Sequence, residues 1–232
     1  MCYMNTKSPA RETPQEIRLA VDNAIFTVME GALHVLLIQM TKKPFTRQWA
    51  LPGGLVRVDE TLDAAAARIL EEQTGVKDVY LEQLYTFGRL DRDPLDRVVS
   101  VAYVSLIAPP VSPTQGLRTT TKYSAVRWWR VSEASRLAYD HDEILSYARK
   151  RLAWKLEYTN VSWSLLPRKF RLTDLQRVYE AVLGHPLDKR NFRKKILSLG
   201  LIESVGEVEG GAHRPAMLYR FRSRRPRIVE IL

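Results

Sequence analysis

The sequence predicts an α+β protein built from two unequal domains, and three observations support that fold class. The chain has 232 residues, a length that fits one large domain or two unequal ones. Strand-like and helix-like patterns alternate up to about residue 158, and two short helices and a hairpin pattern follow. The net charge is also distributed unevenly along the chain. Residues 161–232 carry 15 Lys and Arg against 7 Asp and Glu, a net charge of +8, whereas residues 1–160 carry 21 against 19, a net charge of +2.

These patterns predict a flexible N-terminus at 1–14, a larger domain at 15–158, a basic domain at 159–226 and a C-terminal tail at 227–232. A hydrophobic content of 45% excludes a wholly disordered chain. Apolar runs such as Val35–Ile38 are far shorter than the roughly 20 residues of a membrane helix. Cys2 is the single cysteine, which excludes an intramolecular disulfide and a cysteine-cluster metal site. With no apolar signal segment in residues 1–14, we expect a cytoplasmic protein without a membrane partner.

The larger domain is predicted to begin with two strands, Arg18–Met29 and Ala32–Met40, joined by a turn at Glu30-Gly31. A helix is predicted to begin near Thr61 as its N-cap and to end at Gly75. The later elements are two strands, a long helix and a boundary segment: Val98–Ile107, Val126–Trp129, Asp140–Tyr158 and Asn160–Lys169. The apolar face of the long helix is predicted from helical spacing as Ile144, Tyr147, Ala148, Arg151, Leu152 and Lys155.

The segment Gly54–Val76 resembles the Nudix box, G-x5-E-x7-R-E-U-x-E-E-x-G-U, where U is an aliphatic residue. The matching positions are Gly54, Glu60, Arg68, Leu70, Glu72, Gly75 and Val76. The resemblance implies a Nudix fold, an α/β/α sandwich around a mixed sheet. Two positions depart from the pattern, because Ile69 and Gln73 stand where the family has glutamates.

Those two departures affect the chemistry that the motif performs. Positions 69, 72 and 73 share one face of a helix, where three carboxylates would converge on a divalent cation. Magnesium prefers such oxygen ligands and bridges them to substrate phosphates. Only Glu72 remains of the three, so we predict that diphosphate hydrolysis is lost while the pocket survives. For Glu72, a weak metal contact and an ion pair with Arg68 are both open, and for Glu71 a solvated helix face is preferred.

Aromatic and charged residues on both sides of the box resemble those of Nudix proteins that handle ADP-ribose or related nucleotides. An aromatic ring can stack on a base while arginines pair with diphosphate oxygens. The alternative is that Trp49 and Phe87 belong to the core and that the charges form local ion pairs. The candidate ligand-binding residues are Arg47, Trp49, Gly53, Gly54, Glu60, Arg68, Glu72, Phe87, Arg89, Asp91 and Arg97.

The basic domain is predicted to contain two helices and a hairpin. Thr173 is expected to cap a helix at Asp174–Leu183, and Gly184 is expected to break it. A second helix is predicted from about Asp188 to Leu199, followed by strands at Leu201–Val208 and Ala216–Phe221. This order is that of a winged helix-turn-helix, whose second helix enters the major groove of DNA. A solvated basic helix is the alternative. The candidate DNA-binding residues are Thr173, Lys189, Arg190, Asn191, Arg193, Lys194, Lys195, His213 and Arg214.

A degenerate Nudix box followed by a winged helix resembles the Nudix-related transcriptional regulators of the NrtR family. The closest matching stretches are Leu172–Glu180, Pro186–Lys195 and Arg214–Tyr219. The resemblance implies a homodimeric repressor that binds palindromic operators near genes of NAD synthesis or salvage. It also implies ADP-ribose as an effector that weakens DNA binding, with no cofactor required and magnesium not essential.

Two alternatives remain open at the level of sequence. The first is an active Nudix hydrolase of ADP-ribose or a nucleoside diphosphate, whose basic tail binds nucleic acid. The second is a nucleotide sensor that acts through a protein partner, for which DNA binding with a steep salt dependence is not expected.

Overall fold

The structure, a computed structural model, describes residues 16–75, 77, 79–110, 117, 123–208 and 216–231. In chain order the strands and helices of the first part are β1 Arg18–Met29, β2 Ala32–Met40, β3 Trp49–Ala50, β4 Gly53–Leu55, α1 Leu62–Thr74, β5 Tyr80–Phe87, β6 Val98–Leu106, β7 Tyr123–Arg130 and α2 His141–Tyr158. A 3-10 helix at Val161–Leu165 leads to α3 Leu172–Leu183, α4 Lys189–Ser198, β8 Ile202–Val208 and β9 Ala216–Phe221. No helix among these described residues is both long and apolar enough to cross a bilayer.

The first seven strands form one mixed sheet in the order β3-β2-β1-β6-β5, with β4 paired to β1 and β7 paired to β2. β1 and β6 are parallel, and the other pairs are antiparallel. Side chains that alternate along β1 enter different apolar clusters: Ile25 packs with Leu70 of α1, and Phe26 packs in the cluster that contains Ile144 of α2. The sheet therefore lies between α1 and α2, which confirms the predicted α/β/α sandwich.

Local sequence signals explain the bounds of α1. The Thr61 hydroxyl accepts a hydrogen bond from the Ala64 amide, and Gly75 adopts a left-handed conformation at φ 69°. Both end signals agree with the sequence prediction. The strands at Arg18–Met29 and Ala32–Met40 also have their predicted bounds.

Two helix predictions need correction. The buried face of α2 is formed by His141, Ile144, Leu145, Ala148, Leu152 and Leu156. The spacing had assigned Tyr147 and Arg151 to that face, but Tyr147 is exposed and Arg151 is half-buried. The buried face is rotated by roughly 60° around the helix axis from the predicted one. Thr173 is not the cap of α3. The helix begins at Leu172 with Arg171 as N-cap, and the Asp174 carboxylate accepts a hydrogen bond from the Arg171 amide at 2.9 Å.

The apolar cluster that covers one face of the sheet continues into the second domain. α3 contacts both β2 and α2, and its residues Leu175, Val178 and Tyr179 belong to the same cluster as Ile144. α4 adds Phe192 and Ile196 to this cluster from the far side of α3. The two domains therefore share packed apolar surface rather than only a linker.

The segment after β9 returns to the end of α2. The amides of Val229 and Ile231 donate to the carbonyls of Tyr158 and Glu157 at 2.8 and 2.7 Å. The side chain of Ile231 is buried, with 1% of its surface exposed. This returning segment, residues 227–231, attaches the second domain to α2 at a second place.

Candidate functional site

A cavity of about 400 Å³ opens at the ends of β1 and β2, beside the short strands β3 and β4. The cationic side chains in its wall are Arg18, Lys42, Lys43 and Arg92, and the aromatic ones are Tyr123 and Tyr139. Such a volume falls within the range of small-molecule sites, roughly 300–1,000 Å³. The cavity is therefore a candidate ligand site of the first domain.

Asp22 forms the centre of the polar wall of this cavity. Its carboxylate accepts hydrogen bonds from Ser100 Oγ at 2.6 Å and from Arg92 Nη2 at 3.0 Å. Arg92 also donates to both carboxylate oxygens of Asp140, at 2.8 and 2.9 Å. Burial alone would raise the pKa of Asp22, but His141, Arg92 and Ser100 outweigh it and hold that pKa well below its usual range. Asp22 therefore remains a carboxylate that fixes Arg92 in place.

His141, the first residue of α2, completes this network. Its Nδ1 accepts a hydrogen bond from the Leu51 amide at 2.9 Å, and its Nε2 lies 3.4 Å from Asp22 Oδ1. Because Nδ1 accepts from Leu51, Nε2 is the ring nitrogen that can donate to the carboxylate. The start of α2 is thus part of the cavity wall.

Gly53 is needed because β4 approaches Asp22 closely. A Cβ atom at position 53 would lie 2.1 Å from Asp22 Oδ1 and 2.9 Å from the Val21 carbonyl oxygen. At Gly54 the nearest atom to a Cβ would be Ile69 Cδ1 at 3.9 Å, which is ordinary contact. Both glycines line the cavity, but only position 53 excludes a larger residue by its surroundings.

On the helix of the Nudix-box motif, Glu72 is the carboxylate left at the three metal-ligating positions. Ile69 and Gln73 are buried, with 2% and 3% of their surfaces exposed. Glu72 is exposed, and its carboxylate lies 3.5 Å from Arg68 and 3.8 Å from Arg57. Among the residues that the structure describes, no three His, Cys, Asp or Glu side chains are grouped so that they could hold a metal ion.

Glu60 and Arg68 form a tight ion pair between the loop before α1 and the helix itself. The Arg68 guanidinium donates to both Glu60 oxygens, at 2.6 and 2.9 Å, and the Arg57 amide donates to Glu60 at 2.8 Å. The hydrogen bonds from Arg68 are the main reason that the pKa of Glu60 is lowered to about 2. In the structure these two motif residues hold the loop against the helix.

The other predicted ligand residues lie apart from the cavity. Phe87 is buried, and its ring centre lies 5.5 Å from that of Tyr85 and 6.2 Å from that of Tyr147. Trp49 is half-buried, with its ring centre 5.2 Å from that of Trp129. Of the eleven predicted ligand residues, Gly53 and Gly54 alone line the cavity, within the part of the chain that the structure describes.

The charged members of that predicted set make local contacts. Arg89 forms an ion pair with Asp91 at 2.7 Å, and Arg97 donates to the carbonyls of Gly88 and Arg89 at 3.1 and 3.2 Å. Arg47 is exposed at φ 69°, and its amide donates to the Met40 carbonyl at 2.8 Å.

Sequence reasoning missed Asp22, Arg92, Asp140 and His141. A signal was present for Asp22, because a carboxylate in the otherwise apolar stretch of β1 needs a buried partner. No comparable signal marks Arg92, since it lies in a loop rich in Asp and Arg where spacing does not show which side chain turns inward.

The second domain presents α4 as an exposed basic helix. Gly184, at φ 79°, is the C-cap of α3. Asp188 is the N-cap of α4, and its carboxylate accepts a hydrogen bond from the Asn191 amide at 2.7 Å. Phe192 and Ile196 bury one face of α4. The remaining predicted residues of the helix are all exposed: Lys189, Arg190, Asn191, Arg193, Lys194 and Lys195.

The hairpin of β8 and β9 follows α4, with the register running from Ile202 opposite Phe221 to Val208 opposite Ala216. Thr173 is exposed in the first turn of α3. His213 and Arg214, predicted at the tip of the hairpin, lie outside the described residues. Two helices followed by a two-stranded hairpin confirm the winged helix-turn-helix.

Comparisons with known proteins agree with this two-part structure. A family profile described as the NUDIX domain matches residues 17–149, and one described as the NrtR DNA-binding winged helix domain matches residues 162–221. A relative from Acinetobacter baylyi, the ADPR responsive transcriptional repressor NtrR, is 40% identical over 207 residues, which is 88% of this chain and 81% of the relative.

Two solved structures of NrtR from Shewanella oneidensis are similar to this chain. The protein complexed with a 27mer DNA has a TM-score of 0.76 and 33% identity, covering 88% of this chain and 93% of that one. Its NUDIX domain complexed with ADP ribose has a TM-score of 0.54 and 34% identity, covering 63% and 94% of the respective chains.

The fold and its two candidate sites define a class of protein in which a Nudix domain is fused to a winged helix DNA-binding domain. The chain belongs to the NrtR family of Nudix-related transcriptional regulators.

Proposed function

We propose that this protein is a transcriptional repressor of genes for NAD synthesis or salvage, and that ADP-ribose releases it from its operator. The observation that carries the proposal is the direct structural connection between the two candidate sites. α2 begins in the wall of the cavity and ends where the returning segment of the second domain is bound. A ligand site and a basic helix joined in this way suit a regulator better than an enzyme.

α4 is the proposed recognition helix. On a helical wheel, Arg190, Asn191 and Lys194 point away from the buried Phe192 and Ile196. Arg and Asn on such a face can read base edges, while cations on its flanks contact phosphates. We therefore assign base contacts to these three residues and phosphate contacts to Lys189, Arg193 and Lys195, with Thr173, His213 and Arg214 kept as further predicted contacts.

The cavity is the proposed ADP-ribose site. Its cationic residues Arg18, Lys42 and Lys43 suit a diphosphate, and Tyr123 and Tyr139 offer aromatic surface for a base or sugar. Gly53 and Gly54 allow the backbone to approach a ligand closely. The remaining predicted ligand residues, such as Arg47, Arg89 and Arg97, stay predictions. None of these three residues lines the cavity.

We infer that the Nudix domain does not hydrolyse ADP-ribose and does not require magnesium. Two of the three positions that would carry metal-ligating carboxylates are the buried Ile69 and Gln73, and the third, Glu72, is paired with Arg68. These residues do not fit a magnesium site of the usual oxygen-rich kind. Incubation of the protein with ADP-ribose and Mg²⁺ should give no AMP above background, and turnover that Glu72→Gln abolishes would contradict this inference.

The release mechanism follows from the position of α2. An 18-residue helix spans roughly 27 Å, so it connects the cavity to the second domain as one rigid element. A ligand that moves Arg92 or His141 changes the position of α2 and hence that of α4. Only a difference in ligand affinity between the two arrangements can produce such release.

In the proposed assembly a cytoplasmic homodimer places two α4 helices on the half-sites of a palindromic operator. Recognition helices of such dimers lie about one turn of DNA apart. Residues 15–158 form the sensing part and residues 159–226 the DNA-binding part in this proposal.

A DNA-binding assay on the full-length chain tests the proposal. The protein should shift a duplex from upstream of its own gene, and ADP-ribose should weaken the shift. Arg190→Ala with Lys194→Ala should reduce operator affinity by roughly tenfold or more. The control pair, Arg136→Ala with Lys150→Ala, removes two exposed cations of the first domain and should bind as the wild type does. Rapid ADP-ribose turnover without any sequence-preferring shift would instead support an active hydrolase.

A further inference from the structure

A second group of arginines in the DNA-binding part has no role in the function described so far. Arg224, Arg225 and Arg227 follow β9, and Arg168 precedes α3. We name these four residues the arginine cluster. All four are exposed, and none forms an ion pair with an acidic side chain in the described part of the chain. By contrast, the nearby Arg220 and Arg222 both pair with Glu203.

The arginine cluster is held in place by specific contacts. The Arg224 guanidinium lies 5.1 Å from the centre of the Trp163 ring, and its Nη2 donates to the Leu166 carbonyl at 3.4 Å. The buried Asn160 fixes the backbone, because its side chain donates to the Arg225 carbonyl at 3.1 Å and accepts from the Arg227 amide at 2.8 Å. These guanidiniums therefore project from a fixed backbone rather than from a free tail.

Within the cluster, the positive charges of Arg168 and Arg224 lie close enough to affect each other. Burial, and then the neighbouring positive charge of Arg168, lower the pKa of the Arg224 guanidinium. Fixed guanidiniums with free donors and no carboxylate match the geometry and charge of phosphate oxygens.

The cluster lies close to the end of α4. The Arg222 amide donates to the carbonyl of Leu201, which follows α4 by three residues, and Phe170 pairs with Tyr219 of β9 through two backbone hydrogen bonds of 2.8 and 3.0 Å. The end of α4 and the start of the arginine cluster are therefore joined to the same end of the hairpin.

We propose that the arginine cluster binds backbone phosphates of the operator beside the bases that α4 reads. The proposal rests on the DNA-binding function proposed above and adds a second surface to it. Contacts of this kind fix the register of the protein on DNA and carry no sequence information themselves. The cluster is thus a source of affinity for any DNA sequence.

Salt-dependent binding of full-length variants tests this proposal. Arg225→Gln with Arg227→Gln removes two charges and leaves the Trp163 contact intact, and Arg168→Gln with Arg224→Gln removes the other two. Each double variant removes two phosphate contacts from each protomer of the dimer, so it should lower the slope of log affinity against log salt by roughly 3.6, since each contact contributes about 0.9. At about 0.15 M salt this corresponds to roughly thousandfold weaker binding, equal for operator and random DNA.

Arg136→Gln with Lys150→Gln is the matched control, because it changes the net charge equally on two exposed residues of the first domain. Wild-type slopes in both arginine variants, or an equal loss in the control, would overturn the proposal. Loss of ADP-ribose affinity in place of DNA affinity would also overturn it, and would assign the cluster to a free nucleotide. If the wild-type chain itself bound no DNA, the proposed function would fail instead.

Discussion

Asp22 and Gly53 show how two residues define the shape of the candidate ligand site. One oxygen of the Asp22 carboxylate accepts hydrogen bonds from Ser100 and Arg92, and the other oxygen lies next to His141. Gly53 leaves the space into which this carboxylate fits. The shape of the cavity wall therefore depends on the charged Asp22 of β1 and on the lack of a side chain at position 53 of β4.

This arrangement predicts that Gly53→Ala disrupts the cavity. The new methyl group would overlap Asp22 Oδ1 and the Val21 carbonyl, so either β4 or the Asp22 network must move. We expect a loss of stability of about 1–3 kcal/mol, the usual cost of overpacking, together with much weaker ADP-ribose binding. Urea unfolding and calorimetric titration measure the two effects.

Gly54→Ala is the matched control for Gly53→Ala, because its methyl group would meet only Ile69 Cδ1 at 3.9 Å. It should change stability far less. Equal stability of the two variants would show that the close approach of β4 to Asp22 does not limit residue size.

The lowered pKa of Glu60 predicts that the stability of the protein depends on pH. Hydrogen bonds from Arg68 lower its pKa from 4.5 to about 2, so the folded state holds this carboxylate ionised more readily than the unfolded chain does. The resulting stabilisation is present above about pH 4.5 and is lost as the pH falls toward 2. Urea unfolding midpoints between pH 6 and 3 should therefore fall less steeply in Glu60→Gln than in the wild type.

Glu133→Gln is the control for this pH dependence, since Glu133 is an exposed glutamate outside the site. Its midpoints should follow those of the wild type. If Glu60→Gln also followed the wild type, its pair with Arg68 would contribute nothing to acid sensitivity.

At the scale of elements, α2 and the returning segment hold the two domains together. Ile231 is buried beside the end of α2, whereas Ile228, three residues earlier, is 88% exposed. Ile231→Ala should lower the free energy of unfolding by about 2 kcal/mol or more, as for other buried isoleucines. Ile228→Ala should change it by less than about 0.5 kcal/mol. Thermal unfolding of both variants measures the difference, and similar melting temperatures would mean that the segment does not anchor the domain.

Elements with strong local signals were predictable from the sequence. The two strands around Glu30-Gly31 and the helix between Thr61 and Gly75 have their predicted bounds, because turn and cap residues act on neighbours a few positions away. The start of α3 was wrong by two residues. Thr173 is a good capping residue in general, but the Asp174 carboxylate reaches back to the Arg171 amide and begins the helix earlier.

The cavity was harder to predict than the elements that surround it. Arg92 meets Asp22 across 70 residues and Asp140 across 48, so no short spacing in the sequence reveals these contacts. Phe87 was predicted to face a ligand, and the structure places it against Tyr85 and Tyr147 instead. An aromatic residue at the end of a strand has the same local pattern in both situations.

At the scale of the whole molecule, the proposed function couples two features, the +10 net charge and the candidate ligand cavity. Most of the charge lies after residue 160, on the domain that α2 and α3 attach to the sheet. If ADP-ribose binding and DNA binding favour different positions of α2, each ligand must weaken the other. For a homodimer with two ADP-ribose sites, thermodynamic linkage requires that the factor for the operator equal the product of the factors at those two sites.

We therefore predict reciprocal weakening in the full-length chain. The factor by which saturating ADP-ribose reduces the operator affinity of the dimer should equal the product of the factors by which saturating operator DNA reduces ADP-ribose affinity at its two sites, each at typical coupling roughly 5- to 150-fold. Fluorescence anisotropy with labelled duplex gives the first factor, and calorimetric titration of ADP-ribose into the free protein and the DNA complex gives the factors at the two sites. Lys42→Gln with Lys43→Gln, which removes two cations of the cavity, should weaken ADP-ribose binding and leave operator affinity without ligand unchanged. A factor for the operator that differs from that product would show that ADP-ribose does not act through a binding equilibrium shared with DNA, and an unchanged ADP-ribose affinity in the lysine variant would place the ligand outside this cavity.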